Sequence, residues 1–163
     1  MDLVVLFAEE TKTVLSQTMA LEALASTSRD GSSYPFGLVT SGEPWTLDPA
    51  PMWSALLTDV VDGVSPATIA ARFHRGLAAA FCTTALRIAE NHGAAAIALG
   101  GGVFQNGLLL DICLGLLAEA SLPVLTPAQV PANDGGLAYG QAIIAAAQAL
   151  IYSVFERSGC RFA

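Results

Sequence analysis

The sequence AAAIALGGGVFQN, residues 94–106, decides the predicted fold. Its apolar half is short enough for a buried strand and ends at three consecutive glycines, which interrupt regular structure. An apolar, helix-compatible segment follows from Phe104 to about Ala120, so we expect a strand, a glycine turn and a helix in that order. Glycines let backbone N–H groups approach a ligand and a helix start attracts anions, but a tight turn without a ligand explains three glycines equally well.

Two nucleotide-binding patterns do not fit this stretch. A P-loop needs Lys and Ser or Thr after its glycines, where this chain has Asn106 and Gly107. The dinucleotide fingerprint needs a further spaced glycine where Gln105 stands, and an acidic residue near the end of the next strand, where Thr126 stands. A nucleotide bound here would therefore be held in another way.

Composition narrows the class of protein. The 163 residues suit one domain with its own core, and the charged fraction of 13% lies well below the usual value of about a quarter. A net charge of −7 without a basic block disfavours nucleic-acid binding. We expect no membrane span, because no apolar run approaches ~18 residues, and no secretory signal. Three cysteines without a Cys-x-x-Cys pair indicate a reducing, cytoplasmic location, with Cys82 and Cys113 as core thiols.

Further elements are predicted on both sides of the central stretch. Ser65-Pro66 is a good helix start, because the hydroxyl can cap the helix and proline suits its first position. A strand at 122–125 would lie parallel to the first strand, since the helix between them supplies a right-handed crossover. The other predictions are helices at 14–27 and 51–61, a hairpin of 37–39 with 45–47, the Ser65-Pro66 helix reaching about Asn91 before Gly93, and a last helix from about Gly136 to Ala149 or beyond.

Polar and glycine residues follow both predicted strands. Because the carboxyl ends of parallel strands meet at one edge of a sheet, loops 100–106 and 133–136 should lie side by side. Asn106 offers an amide for a ribose or a base, and Asp134 offers a carboxylate with room left by the glycines after it. Asp134 could bind a metal or cap the last helix, and its position alone favours the cap.

Other residues are expected to be structural. His74 is predicted to be a packed or surface histidine, and the two histidines of the chain are too isolated for a His-based metal motif. Asp59 and Asp62 are expected to face solvent near the end of a helix, and Trp45 and Trp53 are expected to be packing residues.

Two segments together resemble one enzyme family. GGGVFQN at 100–106 and VPANDGGLAYGQA at 130–142 look like the C-terminal part of HypF-type carbamoyltransferases, which are hydrogenase maturation factors. Three shorter segments are similar to the same proteins in the same order: ALEALA at 20–25, YPF at 34–36 and IAARFH at 69–74. The resemblance covers about residues 17–148.

The resemblance implies an α/β fold, the second lobe of a two-lobed actin-like, sugar-kinase-like ATPase, helix-rich with a small, partly parallel sheet. The tRNA threonylcarbamoyl transferases have the same lobe type. In such enzymes a carbamoyl-adenylate made from ATP lies between the lobes, and the carbamoyl group passes to a cysteine of an acceptor protein in nickel–iron hydrogenase maturation. By motif match, the implied nucleotide contacts are Gly100, Gly101, Gly102, Asn106, Gly135 and Gly136, and the implied ligand of a divalent metal, expected to be iron, is Asp134.

The sequence also departs from the family pattern. The family's enzymes are several times longer, with a first lobe that carries metal-binding histidines, and Gly107 stands where they usually have Arg. We therefore expect an unassigned segment at 1–16, the C-terminal lobe at 17–150 and a divergent tail at 151–163. The expected function is a fragment or split part of the carbamoyltransferase, inactive alone; the alternative is a non-catalytic binding or scaffold module. Expected partners are the missing first lobe or a second copy, and the acceptor protein, and a lobe without its partner should expose an apolar face.

Overall fold

The computed structural model describes residues 11–42, 44–130 and 134–158; for 11–18, 134 and 151–158 it describes the backbone without the side chains. The described part is rich in helices and has two small sheets. Its elements are α1 (Thr11–Thr27), β1 (Gly37–Val39), β2 (Thr46–Asp48), α2 (Ala50–Val61), α3 (Pro66–His92), β3 (Ile97–Ala98), a 3-10 turn (Gly102–Gln105), α4 (Gly107–Leu117), β4 (Val124–Leu125), a 3-10 turn (Asp134–Gly136) and α5 (Leu137–Ser158). The predicted helix-rich α/β class is confirmed.

The contacts within the chain divide it into two compact units. The first unit contains the described residues up to Ile97 together with Asn106–Val124, and therefore holds α1 to α4 and the hairpin. The second unit contains Ala98–Gln105 and the described residues from Leu125 onwards, including α5.

Helix α3 is the centre of the first unit and packs against α1, α2 and α4. It begins as predicted: the Ser65 hydroxyl accepts the Thr68 N–H at 3.2 Å, and Pro66 occupies the first turn. It ends at Gly93, whose φ of 61° is left-handed and suits glycine. The face turned inward carries mostly small residues, which let neighbouring helices come close: Ala70, Ala71, His74, Gly76, Ala78, Cys82 and Ala89.

One close approach on α3 requires a glycine. The loop before the hairpin runs over Gly76, and the Tyr34 N–H donates a hydrogen bond to the Arg72 carbonyl at 3.1 Å. A Cβ at Gly76 would overlap with the backbone oxygen of Tyr34. The absence of a side chain therefore allows the loop to lie directly on the helix.

The hairpin and the helix after it form as predicted, except that the second strand lies one residue later, at Thr46–Asp48. Strands β1 and β2 are antiparallel, with Gly37 opposite Asp48. Helix α2 begins one residue before the predicted start and ends at Val61 as predicted. In contrast, α1 begins at Thr11, three residues before the predicted helix, and residues 1–10 of the N-terminal segment lie outside the described residues.

The central stretch forms the predicted parallel strand pair, with shorter strands. The Ile97 N–H donates to the Pro123 carbonyl and the Leu99 N–H to the Leu125 carbonyl, both at 2.9 Å. Because both partners advance by two residues in the same direction, β3 and β4 are parallel. The predicted strand at 94–99 was too long at its start, because the Ala94 N–H still bonds the Ala89 carbonyl at the end of α3.

The predicted helix from Phe104 to Ala120 was also too long. The chain first makes the 3-10 turn Gly102–Gln105, and α4 begins only at Gly107. Asn106 separates the two, because its backbone is extended and its side chain caps α4. The last helix is preceded by a 3-10 turn as well, and it continues to Ser158.

Large apolar side chains remain exposed on α2 and α5. On α2 they are spaced so that they share one face, and the prediction of a packed Trp53 is wrong, since 53% of it is exposed. These α2 residues are Trp53, Leu57, Val60 and Val61. On α5 every residue from 141 to 150 is exposed. Among the described helices, none is both long and apolar enough to cross a membrane.

Candidate functional site

Asn106 marks the start of α4. Its Oδ1 accepts the Leu109 N–H at 2.8 Å, and its backbone carbonyl accepts the Leu110 N–H at 3.1 Å. Asn106 is therefore the N-cap of the helix, and its side chain satisfies one of the N–H groups that the first turn leaves without a helical partner.

The side-chain nitrogen of Asn106 contacts a buried histidine of α3. His74 is 3% exposed; its Nε2 lies 3.0 Å from Asn106 Nδ2, and its Nδ1 lies 2.8 Å from the Ala70 carbonyl. The Phe73 ring meets the imidazole edge-on with centroids 5.8 Å apart. The prediction of a packed histidine is confirmed, but its contact with Asn106 was not foreseen.

A carboxylate of α1 accepts a hydrogen bond from a backbone N–H in the first turn of α4. Glu22 Oε1 accepts the Leu108 N–H at 3.1 Å, across 86 residues of sequence. A negative charge here interacts favourably with the positive end of the helix dipole. Sequence reasoning missed this role, although Glu22 belongs to the ALEALA segment that resembles the family.

The glycine turn lies in the second unit and is open. Gly101 has a φ of 100°, a conformation that side chains rarely adopt, and its carbonyl accepts the Phe104 N–H at 3.1 Å. A Cβ built at Gly100, Gly101 or Gly102 would meet no atom of the described residues within 4 Å. The described part of the chain therefore leaves free space beside all three backbone positions.

The second predicted loop is described only in part. Gly135 and Gly136 belong to the 3-10 turn that leads into α5, while residues 131–133 and the side chain of Asp134 lie outside the described part. Gly100–Gly102 and this turn belong to the second unit, and Asn106 belongs to the first. The choice between cap and metal ligand for Asp134, and the predicted neighbourhood of the two loops, stay predictions.

A polar cluster in the first unit corrects the expectation for Asp59. Arg72 bonds Asp30 at 2.9 Å and Asp59 at 2.7 Å, and the Tyr34 hydroxyl donates to Asp59 at 2.6 Å. Asp59 therefore faces this cluster and not solvent. The Tyr34 hydrogen bond and the Arg72 guanidinium lower the pKa of Asp59. The Arg72 hydrogen bond lowers that of Asp30 to about 2, while burial raises the pKa of Tyr34.

Two cysteines lie in the core, as predicted. The Cys82 thiol donates to the Cys113 carbonyl at 3.7 Å, and both residues are buried between α3 and α4. Burial raises the pKa of Cys82, and it raises the pKa of Cys113 to about 12. Because the thiolate is the reactive form, these two thiols are structural. Cys160 lies outside the described residues.

The first unit also has a cavity of about 260 Å³ between the hairpin and α3. Leu38 and Leu47 of the hairpin and Arg87 of α3 are among its lining residues, and Arg87 stands 5.7 Å from the centre of the Trp45 ring. None of the described residues predicted to contact the nucleotide lines this cavity: Gly100, Gly101, Gly102, Asn106, Gly135 and Gly136. Within the part of the chain that the structure describes, no three His, Cys, Asp or Glu side chains are grouped as metal ligands would be.

Comparison with known proteins identifies the family. Residues 15–141 match the family described as "Carbamoyltransferase, Kae1-like Domain, second subdomain". The chain belongs to the HypF carbamoyltransferase family. Two relatives are carbamoyltransferase HypF of Rhodobacter capsulatus, 43% identical over 102 residues, and a carbamoyltransferase HypF homolog of Cupriavidus necator, 38% identical over 134 residues.

Solved structures of HypF share the fold. A full-length HypF crystallised in the phosphate- and nucleotide-bound form superposes on 78% of this chain with a TM-score of 0.72 and 29% identity. The T. kodakarensis HypF superposes on 78% with a TM-score of 0.68 and 30% identity. The predicted fold, the second lobe of a HypF-type carbamoyltransferase, is therefore confirmed.

The chain spans only part of each relative. The match with the R. capsulatus protein covers 63% of this chain but 13% of that protein, and the match with the C. necator homolog covers 80% of this chain but 34% of that homolog. The activity, substrates and partners of the whole relatives therefore do not follow for this chain from the match.

Proposed function

We propose that this chain supplies the second-lobe part of an ATP-dependent carbamoyltransferase site used in nickel–iron hydrogenase maturation. In that site carbamoyl-adenylate is bound, and its carbamoyl group passes to a cysteine of an acceptor protein. A first lobe, on another chain or another part of a longer one, completes the site. Without that lobe the chain binds adenine nucleotides weakly and performs no transfer.

The observation that carries the proposal is the open glycine turn at Gly100–Gly102. Among the described residues, no atom fills the space beside these glycines, so phosphate oxygens can approach their backbone. The match to a relative crystallised with phosphate and nucleotide supports a nucleotide as the ligand. Glu22 already occupies the Leu108 N–H of α4, which favours the glycine turn over that amide as the phosphate contact.

Asn106 contributes one polar contact to the nucleotide in this proposal. Its Oδ1 is used as the helix cap and one N–H of its amide faces His74, so the other N–H serves an acceptor such as a ribose oxygen or a ring nitrogen. Gly135 and Gly136 are proposed to give the nucleotide room at the start of α5.

The described residues do not form a complete site for the metal that the family resemblance implies. The described residues contain no ligand cluster, and one carboxylate is too few for a stable metal centre. Asp134 is proposed as one ligand of a divalent metal, with iron as the expected ion, whose other ligands come from the first lobe.

The proposal is tested by reconstitution. The chain is mixed with the first lobe and the adenylate-forming domain of a HypF enzyme, and AMP release from ATP and carbamoyl phosphate is followed with an acceptor protein. We expect AMP release to depend on the added chain, to be abolished by Asp134→Ala and to be weakened mainly in nucleotide affinity by Asn106→Ala. Asp111→Ala, an exposed carboxylate on α4, is the matched control and should be without effect.

A second candidate function is a binding or scaffold module derived from the lobe. The exposed apolar residues on one face of α2 favour it, because contiguous exposed apolar surface marks interaction sites. If the added parts associate with the chain and the mixture stays inactive, the scaffold function is supported and the catalytic proposal is contradicted.

A further inference from the structure

The hydrogen bonds around Asn106 fix the orientation of its side-chain amide. A backbone N–H can only donate, so the atom that faces the Leu109 N–H at 2.8 Å must be the amide oxygen. The amide nitrogen consequently faces His74 Nε2 at 3.0 Å. The helix cap thus decides between the two orientations that an asparagine amide could take.

The same logic fixes the protons on His74. The amide nitrogen of Asn106 is a donor, so Nε2 of His74 must accept and carries no proton. A neutral imidazole then carries its proton on Nδ1, which donates to the Ala70 carbonyl at 2.8 Å. Both ring nitrogens are satisfied inside the first unit, and the edge-on Phe73 ring limits rotation of the imidazole.

The arrangement leaves Asn106 with one free N–H among the contacts of the described residues. If the amide turned over, it would lose both the cap and the histidine contact. The remaining N–H therefore points in one direction only, and the ligand atom it meets must be an acceptor.

We propose that His74, in its Nδ1-protonated neutral form, is the positioning residue for Asn106, and that the position so fixed selects an acceptor atom of the ligand. The assignment of that ligand as an adenine nucleotide rests on the proposed function. His74 does not touch the ligand; it acts through the amide of Asn106.

The first test reads the protons on the imidazole directly. The full 163-residue chain is labelled with ¹⁵N, and the ring nitrogens are recorded by NMR at pH about 8, above the ordinary histidine pKa of about 6.5. We expect a protonated Nδ1 and an unprotonated Nε2 for His74. His92, exposed at the end of α3, is the internal control and should average between both neutral forms. A proton on Nε2 of His74 would overturn the proposal.

An isosteric change tests the coupling between the two side chains. Asn106→Asp keeps an oxygen for the Leu109 N–H but turns the group that faces His74 from donor to acceptor. We expect His74 to gain a proton on Nε2 in this variant and His92 to stay unchanged. Unchanged His74 nitrogen signals would contradict the coupling.

Two substitutions of His74 test whether its hydrogen-bond acceptor, and not only its volume, positions Asn106. His74→Leu removes the acceptor, so hydrogen exchange of the Leu109 N–H should become about 2- to 10-fold faster relative to that of Leu110, the effect of losing one ordinary hydrogen bond. His74→Gln offers an amide oxygen to Asn106 and should restore the wild-type ratio. Equal ratios in the two variants would overturn the positioning role, and the wild-type NMR measurement decides if either variant fails to fold.

A final titration separates this inference from the proposed function. AMP is added to the labelled chain together with the first lobe, and the side-chain N–H signals of Asn106 are followed. A shift of one of the two N–H signals supports both statements. No shift, in a chain whose His74 protons are as expected, leaves the positioning of the amide intact and contradicts its role in nucleotide binding.

Discussion

Helices α3 and α5 are both long and rich in alanine, but they differ in what covers them. Helix α3 buries seven residues against its neighbours in the first unit. Helix α5 exposes every residue from 141 to 150, among them Ile143 and Ile144. An apolar helix without a covered face is typical of one that packs against another surface. The first unit therefore has its own core, whereas the described side chains of α5 from 141 to 150 remain exposed.

The largest expected effect comes from core truncation in the first unit. Leu109 is 2% exposed and among the largest fully buried side chains, so Leu109→Ala should lower the free energy of unfolding by about 2–5 kcal/mol. Ile144→Ala on α5, where the side chain is 59% exposed, should change it by less than ~0.5 kcal/mol. Urea denaturation followed by tryptophan fluorescence reports the first unit, because both tryptophans, Trp45 and Trp53, lie there. Similar losses in the two variants would break the comparison.

Alanine substitutions at one glycine of α3 and one glycine of α5 extend the comparison of the two helices. Gly76→Ala on α3 would push a Cβ into the Tyr34 backbone and should cost about 1–3 kcal/mol of unfolding free energy. In Gly140→Ala on α5 the new Cβ meets no atom of the described residues within 4 Å, so the change should stabilise the helix by about 0.5–1 kcal/mol. Denaturation of each variant, with hydrogen exchange of α5 for the second, checks both signs. A neutral Gly76→Ala would mean that the loop does not lie on α3.

Gly107 offers a smaller, stabilising change in the first unit. A Cβ there would stand 3.6 Å from Glu22 Oε1, in ordinary contact. Gly107→Ala should stabilise the chain by about 0.5–1 kcal/mol through helix propensity, and Gly107→Arg should add up to ~1 kcal/mol more by pairing with Glu22. Repeating both in Glu22→Gln separates propensity from charge, since only the arginine's extra gain should disappear. An extra gain that survives Glu22→Gln would rule out this ion pair.

The smallest effect is the pH dependence of the acidic cluster. The pKa of Asp30 is lowered from 3.8 to about 2 in the folded chain, so its contribution to stability is present above about pH 4 and is lost as the pH falls towards 2. Asp30→Asn should flatten this part of the profile of urea midpoint against pH. Equal slopes for wild type and Asp30→Asn would contradict the Arg72 contact.

The structural features that were predicted correctly depend on residues that are close together in the sequence. The Ser65 cap, the left-handed Gly93 and the parallel strands around the glycine turn follow from local chemistry and spacing. Strand and helix ends were less accurate, because Ala94 bonds back to α3 and Asn106 caps α4.

Contacts between residues that are distant in the sequence could not be predicted from sequence patterns. Arg72 meets Asp30 across 42 residues, His74 meets Asn106 across 32 and Glu22 meets Leu108 across 86. The first joins the loop after α1 to α3, and the other two join α4 to α3 and to α1, so no local spacing indicates any of them. The glycine turn was found because three consecutive glycines are themselves the signal. The roles of Asn106 and Asp134 in binding stay predictions.

The most direct test of the proposed half-site is where an adenine nucleotide binds. ATP is added to the ¹⁵N-labelled chain, alone and with the first lobe, and backbone amide shifts are mapped by NMR. We expect shifts confined to Gly100–Gly102, Asn106 and the turn before α5, with a Kd of about 1 mM or weaker for the chain alone and tighter binding with the first lobe. Absence of shifts at these residues with the first lobe present, or shifts centred on the cavity beside Arg87, would contradict the account.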